Sequence, residues 1–265
     1  MPRLDRAKLT SAVLTLLART TPYLENELLG LAELVGPGAV CVDVGSAAGI
    51  YTQLLAELAG PTGRVLSVEP LSFAHPGWSR VLDAYRRDTV SRHRLALGAE
   101  PGNATMSVPA GRHGLVTGRS FLAVRTNGVG SNAQFAGQVR VDVEVETLDR
   151  LVDRAGLRGL DFVKIDVEGG ELAVLRGGRS AIDAFRPALL VEIEERHISR
   201  YQHTAADVVA ELSSHGYTMA TWQHGWQPTS GVCAHSRNYL FLPPGHTTIR
   251  EQLEQATSQR PHART

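Results

Sequence analysis

The sequence predicts an α/β fold in which helices cover a doubly wound, mostly parallel sheet. Short apolar runs recur between residues 39 and 193, and their nearly continuous hydrophobicity is typical of strands buried on both faces. Segments with helical periodicity separate these runs, which implies parallel pairing through right-handed crossovers. A chain of 265 residues can bury a sizeable core without a metal or a disulfide.

Two helical patterns precede the first strand, and we expect residues 1–37 to form an N-terminal helical cap. The apolar stripe of the first helix consists of Leu9, Val13, Leu16 and Leu17. The second helix begins at Thr21-Pro22, because a hydroxyl N-cap followed by proline favours a helix start. It ends at the Gly-Pro-Gly turn of residues 36–38.

Alternating strands and helices are predicted along the rest of the chain. The core strands are expected at 39–44, 64–68, 93–97, 161–166 and 187–193. The helices are expected at 50–58, 78–87, 147–155, 171–185 and 204–214. Residues 98–138 predict loops and short strands, followed by a strand at 139–145. Residues 217–222 and 238–242 are expected to pair as antiparallel strands, and residues 246–265 to form a flexible tail.

The composition excludes several functional classes. The 27 basic and 27 acidic residues give a formal net charge of zero, which argues against a nucleic-acid partner because such binding needs a basic face. No apolar run reaches the length of a membrane span, about 18 residues. Two cysteines cannot form a disulfide framework. We therefore expect a cytoplasmic protein with neither a nucleic-acid nor a membrane partner.

The first candidate site is the turn after the first predicted strand, Asp43-Val-Gly-Ser-Ala-Ala-Gly49. Its small residues allow a ligand to approach the backbone. The two glycines are four positions apart, whereas the dinucleotide-binding fingerprint needs three glycines in a different spacing. Asp43 would repel a pyrophosphate placed over this turn and would favour a cationic group instead.

The second candidate site is Glu69, at the end of the second predicted strand. A carboxylate at this position can accept two hydrogen bonds from a ribose diol. A nucleoside with a cationic amino-acid tail satisfies both sites. The residues therefore predict S-adenosylmethionine as cofactor, and NAD fits them less well.

Further motifs follow the first one in a fixed order. They are Val68-Glu69-Pro70, Ala96-Leu97-Gly98, Thr147-Leu148-Asp149 and Phe162-Val-Lys-Ile-Asp-Val-Glu-Gly169. The set is similar to the signature of FkbM-type methyltransferases, a family of class I S-adenosylmethionine-dependent enzymes that usually has glycine in place of Ala47. The resemblance implies a Rossmann-like seven-stranded sheet whose last strand is antiparallel. It also implies methyl transfer to a hydroxyl of a sugar or natural-product intermediate.

The resemblance and the strand-end positions together predict the residues that contact the cofactor. They are Asp43, Gly45, Ser46, Ala47, Gly49, Tyr51, Thr52, Glu69, Pro70, Ala96, Leu97 and Asp166. Tyr51 could stack near the sulfonium. The methyltransferase domain is expected to span residues 38–245, with the insertion at 98–138 shaping the acceptor pocket.

Asp166, Glu168 and His197 are the candidate catalytic residues. The two carboxylates lie two positions apart at a strand end, so either could take a proton from an acceptor hydroxyl. An imidazole such as that of His197 can act as a general base near neutral pH. A divalent metal could use the carboxylates of Asp166, Glu168, Glu192 and Glu194. No spacing requires such a metal, and none is predicted.

The sequence leaves three alternative functions open. An N-methyltransferase would differ only in the acceptor atom. A nicotinamide-dependent oxidoreductase is disfavoured by the glycine spacing. A non-catalytic domain would bind the cofactor without transferring its methyl group. A homo-oligomer is compatible with the sequence, which names neither the acceptor nor the general base.

Overall fold

The computed structural model describes residues 25–71, 89–112 and 114–246, which form a helix-covered sheet and a second, smaller sheet. The first predicted helix, the predicted helix at 78–87 and nearly all of the predicted tail lie outside the described residues. The proposed division into cap, methyltransferase domain and tail therefore stays a prediction. Within the described residues, no helix combines the length and hydrophobicity that a membrane crossing requires.

The secondary structure follows the predicted alternation. The strands are β1 (Val40–Val44), β2 (Arg64–Val68), β3 (Val90–His93), β4 (Ala96–Leu97), β5 (Gly102–Gly111), β6 (Gly114–Leu115), β7 (Phe121–Leu122), β8 (Gly137–Glu146), β9 (Phe162–Ile165), β10 (Ala188–Glu192), β11 (Thr218–Trp222), β12 (Trp226–Pro228) and β13 (Asn238–Leu242). The α-helices are α1 (Ile50–Ala59), α2 (Leu148–Arg154), α3 (Glu171–Gly177), α4 (Arg179–Phe185), α5 (Glu195–Ile198) and α6 (Ala205–Ser214).

Five strands of the larger sheet run parallel, as predicted. β1 pairs with β2 on one side and with β9 on the other, β3 extends the sheet beyond β2, and β10 lies beside β9. The apolar runs of β1, β9 and β10 are almost fully buried because helices cover both faces. The carboxyl ends of these parallel strands meet at one edge, where an α/β sheet places its ligands.

Beyond β10, the larger sheet continues with antiparallel strands, and there it has one strand more than predicted. β13 lies between β10 and β11 and is antiparallel to both, as expected for the last strand. β12 pairs with β11, so the described residues give the larger sheet eight strands instead of the expected seven. β12 is too short to show a periodic pattern in sequence. It is held by Trp226, which is buried and donates from its indole to the Gly30 carbonyl at 3.4 Å.

The smaller sheet corrects two expectations. The strand predicted at 93–97 is divided, because β3 ends at His93 in the larger sheet whereas β4 pairs with β8 in the smaller one. Residues 98–138 contain the ten-residue β5, which pairs with β8 along nearly its whole length. The prediction that this segment contains only loops and short strands is therefore incomplete. Glycine and proline within β5 obscure its strand pattern in the sequence.

Two predicted helices differ in the structure. The helix expected at 171–185 is interrupted at Gly178, where a Cβ atom would lie 2.7 Å from the Leu148 side chain. The helix expected after Thr21-Pro22 is described only from residue 25, and Asn26–Glu33 forms a 3-10 helix. The predicted starts of α2 and α6 are confirmed, since Thr147 and Thr204 cap them through their hydroxyl oxygens.

Candidate active site

The carboxyl ends of the parallel strands open into a cavity of about 860 Å³, within the usual range for ligand pockets. One part of its lining, here called the strand-end side, consists of Gly45, Ala47, Glu69, Pro70, Asp166, Glu168 and Glu192. Another part, the 117–125 wall, consists of Thr117, Gly118, Arg119, Ser120, Leu122, Val124 and Arg125. Ala96 and Leu97 of β4, both predicted cofactor contacts, also line the cavity.

The turn after β1 requires glycine at position 45. Gly45 has φ +79°, and a Cβ atom there would lie 1.7 Å from the carbonyl oxygen of Asp166. The turn is therefore in direct backbone contact with the end of β9. Ala47 has φ +44°, which is uncommon for a residue with a side chain. This conformation is typical of glycine, the residue that the resemblance predicts at position 47.

Glu69 is oriented by two backbone N–H groups. Ala47 donates to Oε2 at 2.9 Å, and Leu71 donates to Oε1 at 2.7 Å. These bonds hold the carboxylate at the end of β2, on the surface of the cavity. Because a carboxylate oxygen can accept more than one hydrogen bond, a group anchored in this way suits a ribose diol.

Asp43 lies beneath the turn and is not among the residues that line the cavity. It is 1% exposed and accepts a hydrogen bond from the Thr52 hydroxyl at 2.5 Å. Ser67 Oγ lies 3.0 Å from Thr52 Oγ1 and 2.8 Å from Ser46 Oγ, which extends the network to the turn. Burial raises the pKa of Asp43 to about 6. The network supports the turn from below, so direct cofactor contacts by Asp43, Ser46 and Thr52 stay predictions.

Gly49 and Tyr51 belong to the start of α1. Gly49 has φ +83° and is the N-cap residue of this helix. The Tyr51 hydroxyl donates to Glu25 Oε2 at 2.5 Å, and Lys164 Nζ lies 5.0 Å from the centroid of the Tyr51 ring. Neither Gly49 nor Tyr51 lines the cavity, and their predicted cofactor contacts likewise stay predictions.

Strand β9 contains a buried cation, Lys164, and is followed by an acid that lines the cavity, Asp166. Lys164 is 1% exposed, lies 3.4 Å from Asp166 Oδ2 and donates to Asn238 Oδ1 at 2.5 Å. Burial acts to lower the pKa of Lys164, but the surrounding carboxylates, Asp166 foremost, raise it overall. The lysine therefore stays charged and orients Asp166, whose side chain is 29% exposed.

Glu192 places a second carboxyl group beside Asp166. Burial, the charge of Asp166 and a hydrogen bond between the two carboxyls raise the pKa of Glu192 well above its usual value. The Glu192 carboxyl therefore releases its proton less readily than an exposed glutamate does. Two groups of three described residues could ligate a metal, namely Glu25–Asp166–Glu192 and Glu168–Glu192–His197. Within each group, the potential ligand atoms lie within 4.8 Å of one another. Such ligands suit a divalent cation, but the positive charge of Lys164 opposes one.

Glu168 and His197 are adjacent, although only Glu168 lines the cavity. His197 is 1% exposed, and its Nδ1 lies 2.7 Å from Glu168 Oε2. Arg200 Nη1 donates to the Glu168 carbonyl at 3.0 Å, and Nη2 lies 3.3 Å from His197 Nδ1. A ligand in the cavity would therefore meet Glu168 before His197.

Sequence patterns do not reveal Arg200, Tyr201 and His203 as site residues. Arg200 Nη2 donates to Ser131 Oγ at 3.2 Å, and the Tyr201 hydroxyl donates to the Leu122 carbonyl at 3.0 Å. Tyr201 and His203 both line the cavity, and burial lowers the pKa of His203. Because these contacts join segments 69 and 79 positions apart, no local motif marks them.

A family model described as the methyltransferase FkbM domain matches residues 43–219 of the chain. Methyltransferase sdnD of Sordaria araneosa is 30% identical over 158 residues, which cover 51% of this chain and 59% of that protein. Methyltransferase 1 of Beauveria bassiana (strain ARSEF 2860) is 25% identical over 199 residues, which cover 71% of this chain and 75% of that protein.

Among solved structures, that of methyltransferase FkbM from Methylobacillus flagellatus KT is similar, with a TM-score of 0.48 and 18% sequence identity. The match covers 91% of this chain and 59% of that one. The chain thus spans less than two thirds of the length of the Sordaria and Methylobacillus proteins.

Proposed function

The chain belongs to the methyltransferase FkbM domain family, whose methyl donor is S-adenosylmethionine, and on this basis we propose that it methylates a hydroxyl group of a small molecule. The observation that carries the proposal is the cavity that the strand-end side shares with the 117–125 wall. Methyl transfer needs donor and acceptor in one space, because most of its rate depends on aligning the reacting atoms.

The strand-end side fits S-adenosylmethionine. Glu69 is held by two backbone N–H groups at the cavity surface, where it suits the ribose hydroxyls. Gly45 and Ala47 bring the backbone to this surface with little side-chain bulk. The charge of Asp166 favours a cationic tail. When bound, the cofactor supplies a methyl group activated by a cationic sulfur, so the protein mainly has to position the acceptor and remove its proton.

We assign proton removal to Asp166. Its side chain is 29% exposed, and it is oriented by Lys164 at the cavity. Glu192 and His197 are both buried, so both are weaker candidates. Glu168 is the second candidate base because it also lines the cavity. His197 would then act by positioning Glu168 and would not touch the acceptor.

An amine acceptor is the second candidate, because the carboxylates of the strand-end side would attract an ammonium group. An amine has to lose its proton before it attacks, so its methylation would accelerate with pH up to the pKa of the amine. Methylation of a hydroxyl would instead follow the ionisation of a carboxylate at lower pH. The pH dependence of kcat/KM therefore separates the two acceptors.

The direct test supplies the protein with S-adenosylmethionine carrying a 13C methyl group and a panel of sugars, phenols and amines. NMR of the product then identifies the methylated atom. We expect an O-methyl signal with at least one hydroxylated compound. An N-methyl product alone would replace the hydroxyl proposal with the amine. Calorimetry measures whether S-adenosylhomocysteine binds at concentrations on the order of 100 µM, which correspond to a binding free energy of about −5 kcal/mol. Failure to bind would refute both the hydroxyl and the amine proposal.

A further inference from the structure

Five described arginines line the cavity, and they differ in whether a carboxylate neutralises them. Three form ion pairs, namely Arg176 with Glu211, Arg196 with Glu194, and Arg237 with Glu194. The other two, Arg119 and Arg125, belong to the 117–125 wall. No carboxylate of the described residues forms an ion pair with either of them.

Arg119 has a fixed backbone and one buried side-chain nitrogen without a partner among the described residues. It ends the 3-10 helix Thr117–Arg119, and its carbonyl accepts a hydrogen bond from Asn132 Nδ2 at 2.8 Å. Asn132 is 1% exposed, so this contact belongs to the interior. Arg119 Nε is buried and has no hydrogen-bond partner among the described residues. The charge of the Arg119 guanidinium is not balanced by an ion pair among the described residues, so its position at the cavity points to an anionic ligand group.

Another part of the cavity lining is negatively charged. Asp166, Glu168 and Glu25 all belong to it, and the buried cation beside them, Lys164, is already engaged by Asp166 and Asn238. An anionic group placed against these carboxylates would be repelled. A negatively charged ligand group can therefore be accommodated at the 117–125 wall and not on the strand-end side.

We propose that the methyl acceptor carries an anionic group, a carboxylate or a phosphate, which binds Arg119. The inference rests on the proposed methyl transfer and adds the chemical class of its acceptor. The planar guanidinium donates two parallel hydrogen bonds to either anion, and the exposed Arg125 adds a second positive charge. An acceptor held by its anionic end at the wall would share the cavity with Asp166.

Calorimetry on protein saturated with S-adenosylhomocysteine tests this inference. Benzoate and inorganic phosphate serve as the carboxylate and phosphate probes, and benzamide is the neutral match of benzoate, all at constant ionic strength. We expect at least one anion to bind about tenfold or more tightly than benzamide. Arg119→Gln should weaken that anion about tenfold or more, and Arg119→Lys should weaken it less. Arg112→Gln, an exposed arginine outside the cavity lining, is the matched control and should have no effect.

The inference is overturned if neither anion binds more tightly than benzamide, or if Arg119→Gln and Arg112→Gln have equal effects. If Arg119→Gln fails to fold, the comparison of anions with benzamide on the wild-type protein and on Arg119→Lys decides the matter. S-adenosylhomocysteine is titrated separately. Its binding without an anion preference would contradict the anionic acceptor alone, whereas its failure to bind would contradict the proposed methyl transfer.

Discussion

The strand-end side and the 117–125 wall of one cavity are built in different ways. The strand-end residues directly follow strands whose parallel register is fixed by the sheet, so Gly45 of the first turn touches the carbonyl of Asp166 after β9. The wall extends from the smaller sheet. Arg200 connects it to the strand ends, because Arg200 donates to the Glu168 carbonyl and lies 4.1 Å from the Phe121 ring centroid.

The two sides also differ in charge. Carboxylates dominate the strand-end side, whereas the wall presents Arg119 and Arg125 without an ion-pairing carboxylate among the described residues. The difference suggests a division of labour, in which the strand ends hold the cationic cofactor and the wall selects the acceptor. The substitutions below test the two sides and the connection between them.

Gly45→Ala should have the largest effect, because the added methyl group would overlap the Asp166 carbonyl oxygen at 1.7 Å. We expect binding of S-adenosylhomocysteine to fall by about 1,000-fold or more, since a misplaced backbone costs several kcal/mol. Calorimetry and thermal unfolding measure the loss. Gly60→Ala is the matched control, because Gly60 has φ +67° and nothing within 4 Å of the added atom. If both variants lose the same affinity, backbone conformation and not the contact with β9 accounts for the glycine.

Arg200→Met should loosen the connection between the two sides. It removes bonds to the Glu168 carbonyl and the Ser131 hydroxyl from a residue that is 1% exposed. We expect a loss of about 3 kcal/mol in the free energy of unfolding, measured with urea, because charged donors make the stronger hydrogen bonds. Arg112→Met at an exposed position should leave the stability unchanged. A loss of cofactor affinity larger than the loss of acceptor affinity would contradict the assignment of the wall to the acceptor.

Asp166→Asn should slow methyl transfer, and it should also lower the free energy of unfolding because the buried ammonium of Lys164 loses the charge that pairs with it. The substitution keeps the shape of the side chain but removes its ability to take a proton, so kcat on a hydroxyl acceptor should fall about 100-fold. Asp153→Asn, at an exposed position of α2, is the control. If kcat is retained in Asp166→Asn while Glu168→Gln loses it, the base is Glu168.

The smallest effect concerns pH and Glu171, which accepts backbone N–H bonds from Gly169 and Val167 at 2.9 and 3.3 Å. Burial raises the pKa of Glu171 from 4.5 to about 7. Because the folded state binds the proton more tightly, the resulting stabilisation is complete below pH 4.5 and is lost as the pH rises toward 7. We expect the free energy of unfolding of the wild-type protein to decrease by about 2 kcal/mol between pH 5 and pH 7, relative to Glu171→Gln. Parallel pH profiles for the two proteins would contradict this linkage.

The contrast between the two sides explains what could be predicted from the sequence. Glu69 and Asp166 directly follow short apolar runs, and the register of a parallel sheet places the residues after such runs at one edge. Such a pattern does not show whether a side chain reaches the cavity or stays buried. Asp43, for example, lies beneath the turn because the Thr52 hydroxyl binds it there. Arg119 and Arg200 reach the site through contacts between distant segments, which no local periodicity records.

The central claim is that the cofactor binds the strand-end side and the acceptor binds the 117–125 wall. The most direct test measures the dissociation constant of S-adenosylhomocysteine for the variants Glu69→Gln and Arg119→Gln. The control is Glu144→Gln, at an exposed position of β8. We predict that Glu69→Gln weakens binding by about tenfold or more, because a charged acceptor is lost, while the other two variants bind as the wild type does. Equal weakening in Glu69→Gln and Arg119→Gln, or none in Glu69→Gln, would contradict the division of the cavity.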